Sequence, residues 1–296
     1  MAVHALSLFF GRGRMGAAAA TGLACALAAG ALAGCAGAGG ASGDAGTQQR
    51  KETAEVLLPA AGTEFDYQIG GGYAPPEGVR AVSRDRDDEP VPGLYNVCYV
   101  NAFQTQPGTL KWWQGTHPGL LLRDGDGELI IDEGWDEVLL DTSTAAHRAE
   151  LAEIVGGWID GCAESGFQAV EPDNLDSFER SQGKLTKEHN AALAKTLAAR
   201  AHSGGLAIGQ KNTTDLLDRH AAIGFDFAVT EECAQFDECD AYADAYDGRV
   251  FAVEYEGEGD VGFKESCSTW GDRVSLVLRD LEVLPAGEKG HVFRTC

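Results

Sequence analysis

The sequence predicts an α/β protein, a (β/α)8 barrel with a β-hairpin insertion near the third βα connection. Short β-type runs alternate with helical patterns along the chain, and eight such runs occur within roughly 230 residues. Parallel strands need long crossover connections, which are usually helices, so repeated β-α units indicate a parallel sheet. Eight strands in a body of this length favour a closed barrel over an open, doubly wound sheet.

Each predicted strand is a short apolar run bounded by polar or glycine residues. Helical spacing of Leu151, Ile154, Val155, Trp158 and Ile159 predicts a helix over 146–163, and Gly204-Gly205 ends a second helix. The predicted strands span 65–69, 79–82, 94–100, 168–174, 206–212, 225–232, 249–255 and 274–278, and the other predicted helices span 187–203 and 214–221.

The stretch from Trp112 to Thr144 departs from this alternation. Residues 120–123 and 128–131 flank Asp-Gly-Asp-Gly, which predicts a β-hairpin with a glycine-rich turn. Trp112, Trp113 and Trp135 lie in or beside this insertion. Aromatic side chains near a barrel mouth stack on sugar rings, whereas packing in a hydrophobic core is the commoner role of tryptophan.

The N-terminal 35 residues predict a targeting segment. Arg12 and Arg14 precede a run of Ala, Gly, Leu and Met that ends in Leu-Ala-Gly-Cys35. This ending resembles the bacterial lipobox, so we expect lipidation at Cys35; a plainly cleaved secretory signal and a membrane-spanning anchor are the alternatives. Residues 36–62 are small and polar and predict a flexible tether, which leaves 63–296 as the barrel domain.

The cysteines and the charge narrow the chemistry. An even number of cysteines in an exported body predicts disulfides, and we expect Cys98–Cys162, Cys233–Cys239 and Cys267–Cys296 as the pairs. The scattered histidines and the absence of a CxxC or HExxH pattern give no support for a metal, and without GxGxxG or Walker loops we expect no cofactor.

The net charge of −23 disfavours nucleic acid and anionic membrane as ligands. Two explanations for this charge are open: it keeps the protein soluble, or it attracts a cationic ligand.

Polar and acidic residues stand at the carboxyl ends of the predicted strands, the face that carries the active site of a (β/α)8 barrel. Loops are generally polar and Asp and Asn cap helices, which explains one polar residue at one strand end. These roles explain less well why carboxylates recur at the ends of three strands, inside apolar runs. The residues concerned are Gln68, Asp85, Glu171, Asp173, Lys211, Asn212, Glu231, Glu232 and Glu254.

Side-chain alternation indicates which of these residues point inward. If bulky strand residues face the helices, Glu171 and Asp173 point into the barrel together with Ala169, Lys211, Ala252 and Glu254. The same rule favours Glu232 over Glu231. An interior lysine would lower the pKa of the carboxylates beside it.

Two carboxyl groups on either side of a bond are what glycoside hydrolysis requires, one ionised and one protonated. Asp173 and one of Glu231 and Glu232 are the candidates. The sequence gives little support for a serine or cysteine nucleophile. The chain lacks a GxSxG elbow, and six cysteines oxidised to disulfides leave no thiol nucleophile.

The motifs that carry these residues resemble glycoside hydrolase family 114, the endo-α-1,4-polygalactosaminidases. They are FDYQIGG at the first strand, GCAESGFQAVEPDNLDSF at the fourth, AIGQKN at the fifth, FAVTEEC at the sixth, and the terminal cysteine. The resemblance implies a metal-free retaining enzyme with Asp173 as nucleophile and Glu231 as acid/base. Strand alternation favours Glu232, so we expect a bulge at the strand end to turn Glu231 inward. The resemblance covers nearly the whole body, but strand three departs from the family pattern at Val100-Asn101-Ala102-Phe103.

The resemblance also implies a substrate, a cationic hexosamine exopolysaccharide. We expect Asp66, Tyr67, Gln68, Asp85, Glu171, Asn174, Asp176, Lys211, Asn212 and Glu254 to bind it. The expected protein is a monomer on the extracellular face of the membrane, or secreted, that touches the membrane only through its N-terminal lipid. The alternatives are a non-catalytic, membrane-tethered glycan-binding lipoprotein with the same barrel and a purely structural envelope protein.

Overall fold

The computed structural model describes residues 55–296, apart from the side chains of 258–261. The predicted signal segment 1–35, the lipidation site Cys35 and most of the predicted tether 36–62 lie outside the described residues. Within the described part of the chain, none of the helices has the length and apolar character needed to cross a bilayer.

Eleven strands and six α-helices alternate along the described residues. Short 3-10 helices occur at Pro118–Leu120 and Thr214–Arg219. In chain order the elements are β1 (Phe65–Tyr67), β2 (Ala81–Asp85), β3 (Tyr95–Asn101), α1 (Leu110–Thr116), β4 (Ile131–Asp132), β5 (Glu137–Val138), α2 (Ala145–Ser165), β6 (Ala169–Asp173), α3 (Lys187–Ser203), β7 (Ala207–Lys211), α4 (His220–Ile223), β8 (Phe227–Glu231), α5 (Cys239–Tyr246), β9 (Val250–Tyr255), α6 (Glu258–Trp270), β10 (Ser275–Arg279) and β11 (Phe293–Thr295).

The main sheet has the order β1-β2-β3-β6-β7-β8-β9-β10-β11. Its first eight strands pair in parallel, and β11 joins β10 in the antiparallel direction. A buried ion pair between Arg279 Nη1 on β10 and Asp66 Oδ1 on β1, at 3.2 Å, links the two ends of the parallel series. The sheet is therefore nearly closed, and the predicted (β/α)8 barrel is confirmed.

The barrel interior is filled by bulky side chains from β8 and β9. Phe227, Phe251 and Val253 pack together inside the barrel, in the interior cluster. Ala228 and Ala252 pack on the outside of the sheet, beneath the helices. The prediction that bulky strand residues face the helices, with Ala252 and Glu254 pointing inward, is therefore wrong here. The physical reason lies on α5, where large aromatic residues such as Tyr242 and Tyr246 fill the space outside the sheet and leave room for small strand residues only.

The insertion between β3 and α2 contains the predicted hairpin. Arg123 lies opposite Leu129 in an antiparallel bridge, and the Asp124 amide donates to the Glu128 carbonyl at 2.9 Å across the turn. A second antiparallel pair, β4 with β5, was not predicted. It places residues 132–137 beside the carboxyl ends of the barrel strands.

Two of the predicted helices are confirmed to within two residues at each end. Thr144 caps α2 by accepting from the His147 amide, and Thr186 caps α3 with a reciprocal capping box. The predicted helix over 214–221 is a 3-10 turn followed by α4, while α1, α5 and α6 were not predicted.

All three predicted disulfides are confirmed. Cys98–Cys162 fastens α2 to β3, and Cys233–Cys239 closes the loop after β8. Cys267–Cys296 ties the end of the chain to α6. Disulfides persist in oxidising compartments, so this set fits an exported protein.

The last residues of the predicted tether contact the barrel. The Tyr95 hydroxyl donates to the Leu57 carbonyl at 2.8 Å, and Pro59 is buried. Val56 packs against the interior cluster.

Candidate active site

A cavity of about 450 Å³ opens at the carboxyl ends of the barrel strands. Seven carboxylate side chains contribute to its wall, against a single basic side chain, Arg180. The wall consists of Ile69, Gly70, Asp85, Tyr99, Gln106, Pro107, Asp132, Trp135, Glu137, Asp173, Asn174, Asp176, Arg180, Asn212, Glu231, Tyr255, Leu281, Glu282 and Val283. The cavity is strongly acidic, so it favours a cationic ligand.

Lys211, at the end of β7, joins three carboxylates beneath this cavity. Its Nζ lies 2.9 Å from Glu171 Oε1, 3.0 Å from Asp173 Oδ1 and 3.5 Å from Glu231 Oε2. The side chain is 2% exposed, so a buried ammonium neutralises part of a concentrated negative charge. Burial alone would lower the pKa of Lys211, but Asp173, Glu171 and Glu231 together raise it well above its ordinary value.

Asp173 ends β6 and reaches the cavity. Its Oδ2 accepts a hydrogen bond of 2.5 Å from the Tyr99 hydroxyl, while Oδ1 faces Lys211. Burial acts to raise the pKa of Asp173, but the Lys211 ammonium and the Tyr99 hydroxyl outweigh it and hold this pKa below its ordinary value. Asp173 is therefore an ionised carboxylate at neutral pH.

Glu231 ends β8 on the same inward face as Phe227 and Val229. The Tyr255 hydroxyl donates to its Oε1 at 2.5 Å, and Asn212 Nδ2 donates to its Oε2 at 3.0 Å. Asn212 also accepts from the Glu231 amide at 2.8 Å, so both ends of one amide fix this residue. Regular strand alternation, without a bulge, brings Glu231 into the cavity.

Glu171 is fully buried below the cavity floor. It accepts hydrogen bonds of 2.8 Å from the Tyr67 hydroxyl and from Ser83 Oγ. Burial raises the pKa of Glu171, and the Lys211 ammonium opposes this. Glu171 therefore positions Lys211, and through it the two carboxylates above.

The residues that follow β6, β7 and β8 have left-handed backbone conformations. Asn174, Asn212 and Glu232 have φ values of 64°, 47° and 57°. Such conformations are uncommon outside glycine and cluster at functional sites. Glu232, the residue after Glu231, does not line the cavity.

The insertion adds a further acidic residue to the cavity. Glu137 on β5 accepts a hydrogen bond from Asn101 Nδ2 at 2.9 Å, and Asn101 Oδ1 in turn accepts from Asn174 at 3.0 Å. Arg180 is held by Asp132 and Asp176 at 2.8 and 2.9 Å. The insertion is thereby joined to the end of β6.

The burial of Glu137 has a consequence for stability. Burial raises its pKa to about 7, against the opposing hydrogen bond from Asn101. Because the ordinary value is about 4.3, the folded protein binds more protons than the unfolded chain between these pH values. Glu137 therefore contributes stability that is present below about pH 4.3 and is lost as pH rises to about 7.

We expect Glu137→Gln to remove this contribution, which changes the pH dependence of the free energy of unfolding by roughly 3 to 4 kcal/mol across the window. Urea unfolding of wild type and variant between pH 4.5 and 8 measures it. Glu128→Gln, on the exposed turn of the same insertion, is the control and should keep the wild-type slope. An unchanged slope in Glu137→Gln would contradict the account.

The structure brings most of the predicted site residues together. Asp85, Asn174, Asp176 and Asn212 line the cavity with Asp173 and Glu231, and Tyr67, Glu171 and Lys211 support it from below.

Three predicted binding residues lie elsewhere. Asp66 and Gln68 face away from the interior residue Tyr67; they bond each other at 2.8 Å, and hold Tyr73 and the Arg84 guanidinium. Glu254 points outward, where its Oε1 accepts from the Ala234 amide at 3.0 Å. The prediction that these three residues bind the substrate is not supported by their positions, because none of them lines the cavity.

Several residues in the cavity wall or in contact with it were not predicted. Tyr99 and Asn101 share the inward face of β3, and the predicted disulfide at Cys98 could have revealed this, because a cysteine paired with a helix must face outward. Tyr255 follows from the same alternation on β9. No sequence signal pointed to Glu137 or Arg180, since the insertion alone determines their positions.

Asp173 and Glu231 face one cavity from strands on either side of β7. Since their oxygens both contact one nitrogen, at 3.0 and 3.5 Å, those oxygens lie no farther apart than the sum of these distances. A pair of closely spaced carboxyl groups in an open cavity at this face of a (β/α)8 barrel is the arrangement of a glycoside hydrolase.

Comparison with known proteins gives the family. The model of glycoside hydrolase family GH114 matches residues 45–296, so the chain belongs to this family and is a glycosidase. A sequence comparison with curated proteins returned no match.

Two solved structures share the fold. The structure of Aspergillus fumigatus Ega3 in complex with galactosamine superposes with a TM-score of 0.65 at 22% identity, covering 82% of this chain and 99% of that one. The glycoside hydrolase domain of PelA from Pseudomonas aeruginosa superposes with a TM-score of 0.52 at 13% identity, covering 76% and 97%.

Proposed function

We propose that this glycosidase cleaves α-1,4-linked galactosamine polymers within exopolysaccharide by a retaining mechanism. Asp173 is the nucleophile and Glu231 the acid/base. The observation that carries the proposal is the single ammonium of Lys211, which contacts both carboxylates beneath an open acidic cavity.

Asp173 suits the role of nucleophile because its pKa is held low. An ionised carboxylate is needed to attack the anomeric carbon and form a glycosyl-enzyme intermediate. Tyr99 and Lys211 each occupy one of its oxygens and fix its orientation. Each oxygen keeps a second lone pair for the substrate.

Glu231 is the partner that the geometry supports. A retaining pair needs carboxyl groups about 5–5.5 Å apart, and the shared contact with Lys211 keeps Glu231 near Asp173. Glu232, which follows Glu231 at a left-handed turn, is not part of the cavity wall.

The charge of the cavity supports an amino sugar as substrate. Free galactosamine units are cationic near neutral pH, and the cavity wall has seven carboxylates and one arginine. The related structure of Ega3 contains galactosamine, the sugar that this proposal places in the cavity.

We expect Glu231→Gln to lower kcat on α-1,4-galactosaminan by about 10²–10⁴-fold, the range that general acid–base groups contribute. Glu232→Gln is the matched control and should change kcat by less than about tenfold. Product release followed by mass spectrometry measures both. The reverse order of effects would transfer the acid/base role to Glu232.

We also propose that the protein is an exported monomer, anchored to the membrane only by a lipid on Cys35. The three disulfides support export, and the Leu-Ala-Gly-Cys sequence supports the lipid. Replacing Cys35 by Ala should move the protein from the membrane fraction to the soluble exported fraction. Continued recovery with membranes would contradict the anchor.

A further inference from the structure

A second cavity, of about 220 Å³, adjoins the catalytic cavity. Gln106 belongs to the walls of both, and its side chain donates to Asp85 Oδ2 at 2.6 Å on the catalytic side. The remaining wall consists of Arg86, Thr109, Trp112, Trp113 and Trp158. This volume is below the about 300–1,000 Å³ of sites for drug-sized ligands, so it suits one monosaccharide unit.

The three tryptophans of this wall support one another. Trp113 is buried and meets Trp112 edge-on at 4.9 Å and Trp158 edge-on at 6.0 Å. Trp112 is 43% exposed. A fixed, exposed indole beside a cavity offers a broad apolar surface at low entropic cost, which suits the apolar face of a pyranose ring.

Arg86 gives this cavity a positive charge, opposite in sign to the charge of the catalytic cavity. Its guanidinium lies 4.5 Å from the Trp158 ring centroid, and its nearest carboxylate oxygen is Asp87 Oδ1 at 3.7 Å. Its Nε is buried and has no hydrogen-bond acceptor among residues 55–296. The side chain is 20% exposed, so an acceptor oxygen of a ligand can approach the guanidinium and bond to donors that the described residues leave unused.

The charge of Arg86 selects the ligand. An ammonium group at this position would meet a fixed positive charge, whereas a neutral acetamido group presents a carbonyl oxygen to the guanidinium. We propose that this cavity is a subsite for an N-acetylated hexosamine unit of the polysaccharide cleaved at the neighbouring centre. Trp112 stacks on the sugar ring and Arg86 donates to the acetyl carbonyl.

This inference rests on the proposed function, because it assumes that the bound chain is the substrate. It assigns different sugars to neighbouring positions: a cationic unit at the acidic centre and an acetylated unit beside Trp112. The wild type should therefore prefer a partly acetylated chain to a fully deacetylated one.

The test compares kcat/KM on partly N-acetylated and on fully deacetylated α-1,4-galactosaminan. We expect Arg86→Met and Trp112→Ala each to lower the ratio of the two values about tenfold, as for loss of one charged hydrogen bond or one aromatic contact. Trp112→Phe should restore part of the ratio. Arg123→Met, which removes an exposed arginine of the hairpin, is the control and should keep the wild-type ratio.

Binding gives a second readout that does not depend on turnover. Calorimetry with an N-acetylgalactosamine disaccharide and the Asp173→Asn protein should show affinity that falls about tenfold when Arg86→Met is added. A kinetic ratio unchanged in both subsite variants, or disaccharide affinity unaffected by Arg86→Met, would overturn the subsite. Failure of the wild type to cleave either polymer refutes the proposed function instead, and the calorimetry then decides the subsite alone.

Discussion

Replacing Asp173 by Asn is expected to lower kcat on α-1,4-galactosaminan by roughly 10⁴-fold or more, the scale of losses seen when an enzymatic nucleophile is removed. The amide has nearly the same shape but cannot form the ester bond of a glycosyl-enzyme intermediate. It also takes one negative charge from the group that surrounds Lys211.

Asp85→Asn is the matched control for this loss. Asp85 lines the same cavity and bonds Gln106, but no ion pair between it and Lys211 occurs among the described residues. We expect its kcat to stay within about tenfold of the wild type. Comparable losses in the two variants would mean that cavity charge, and not a nucleophile at Asp173, supports catalysis.

Replacing Lys211 by Met is expected to lower the free energy of unfolding by about 3–5 kcal/mol, the cost of removing one partner from a buried ion pair. Lys211 and Glu171 are 2% and 0% exposed, so the variant leaves a carboxylate in the core without a counter-charge. The pKa of Asp173 should rise as well, because the ammonium of Lys211 is the main influence that lowers it. Activity should then require a higher pH.

Urea denaturation measures the stability change, and two further variants interpret it. Lys187→Met removes an exposed lysine that lies 3.5 Å from Asp215, and such surface pairs contribute about 0–1 kcal/mol. Lys211→Met combined with Glu171→Gln removes the uncompensated charge and should recover part of the loss. A loss in Lys211→Met no larger than that in Lys187→Met would contradict the central position given to this ammonium.

The barrel was predictable because its strands are short apolar runs of regular spacing, and helices separate most of them. Asp173 was predictable for a related reason: it ends a strand beside Pro172, where a polar residue marks the active-site face. Both features are local patterns that the nearly closed sheet preserves.

Glu231 shows where such patterns fail. Side chains along β8 alternate between the two faces of the sheet, as predicted. The prediction assigned the two faces the wrong way round, because it placed bulky residues outside the sheet. Phe227 and Phe251 instead fill the barrel, since α5 supplies aromatic bulk on the outside. Which face of a strand points into the barrel depends on the size of the side chains that the neighbouring helices place outside the sheet. The sequence of the strand alone does not contain this information.

Glu137 and Arg86 show a second limit. Glu137 reaches the cavity through the tertiary position of the insertion, and Arg86 becomes distinctive only through its packing on Trp158. Neither stands in a motif of its own. Residues brought to a site by an irregular segment need the folded chain to be recognised.

The stereochemistry of hydrolysis tests the central claim most directly. Proton NMR of α-1,4-galactosaminan, recorded during the first minutes of cleavage by the wild-type protein, shows which anomer is released. The close approach of Asp173 and Glu231 predicts oligosaccharides with the α configuration, as a double displacement requires. Release of the β anomer, or no release of oligosaccharides at all, would contradict the account.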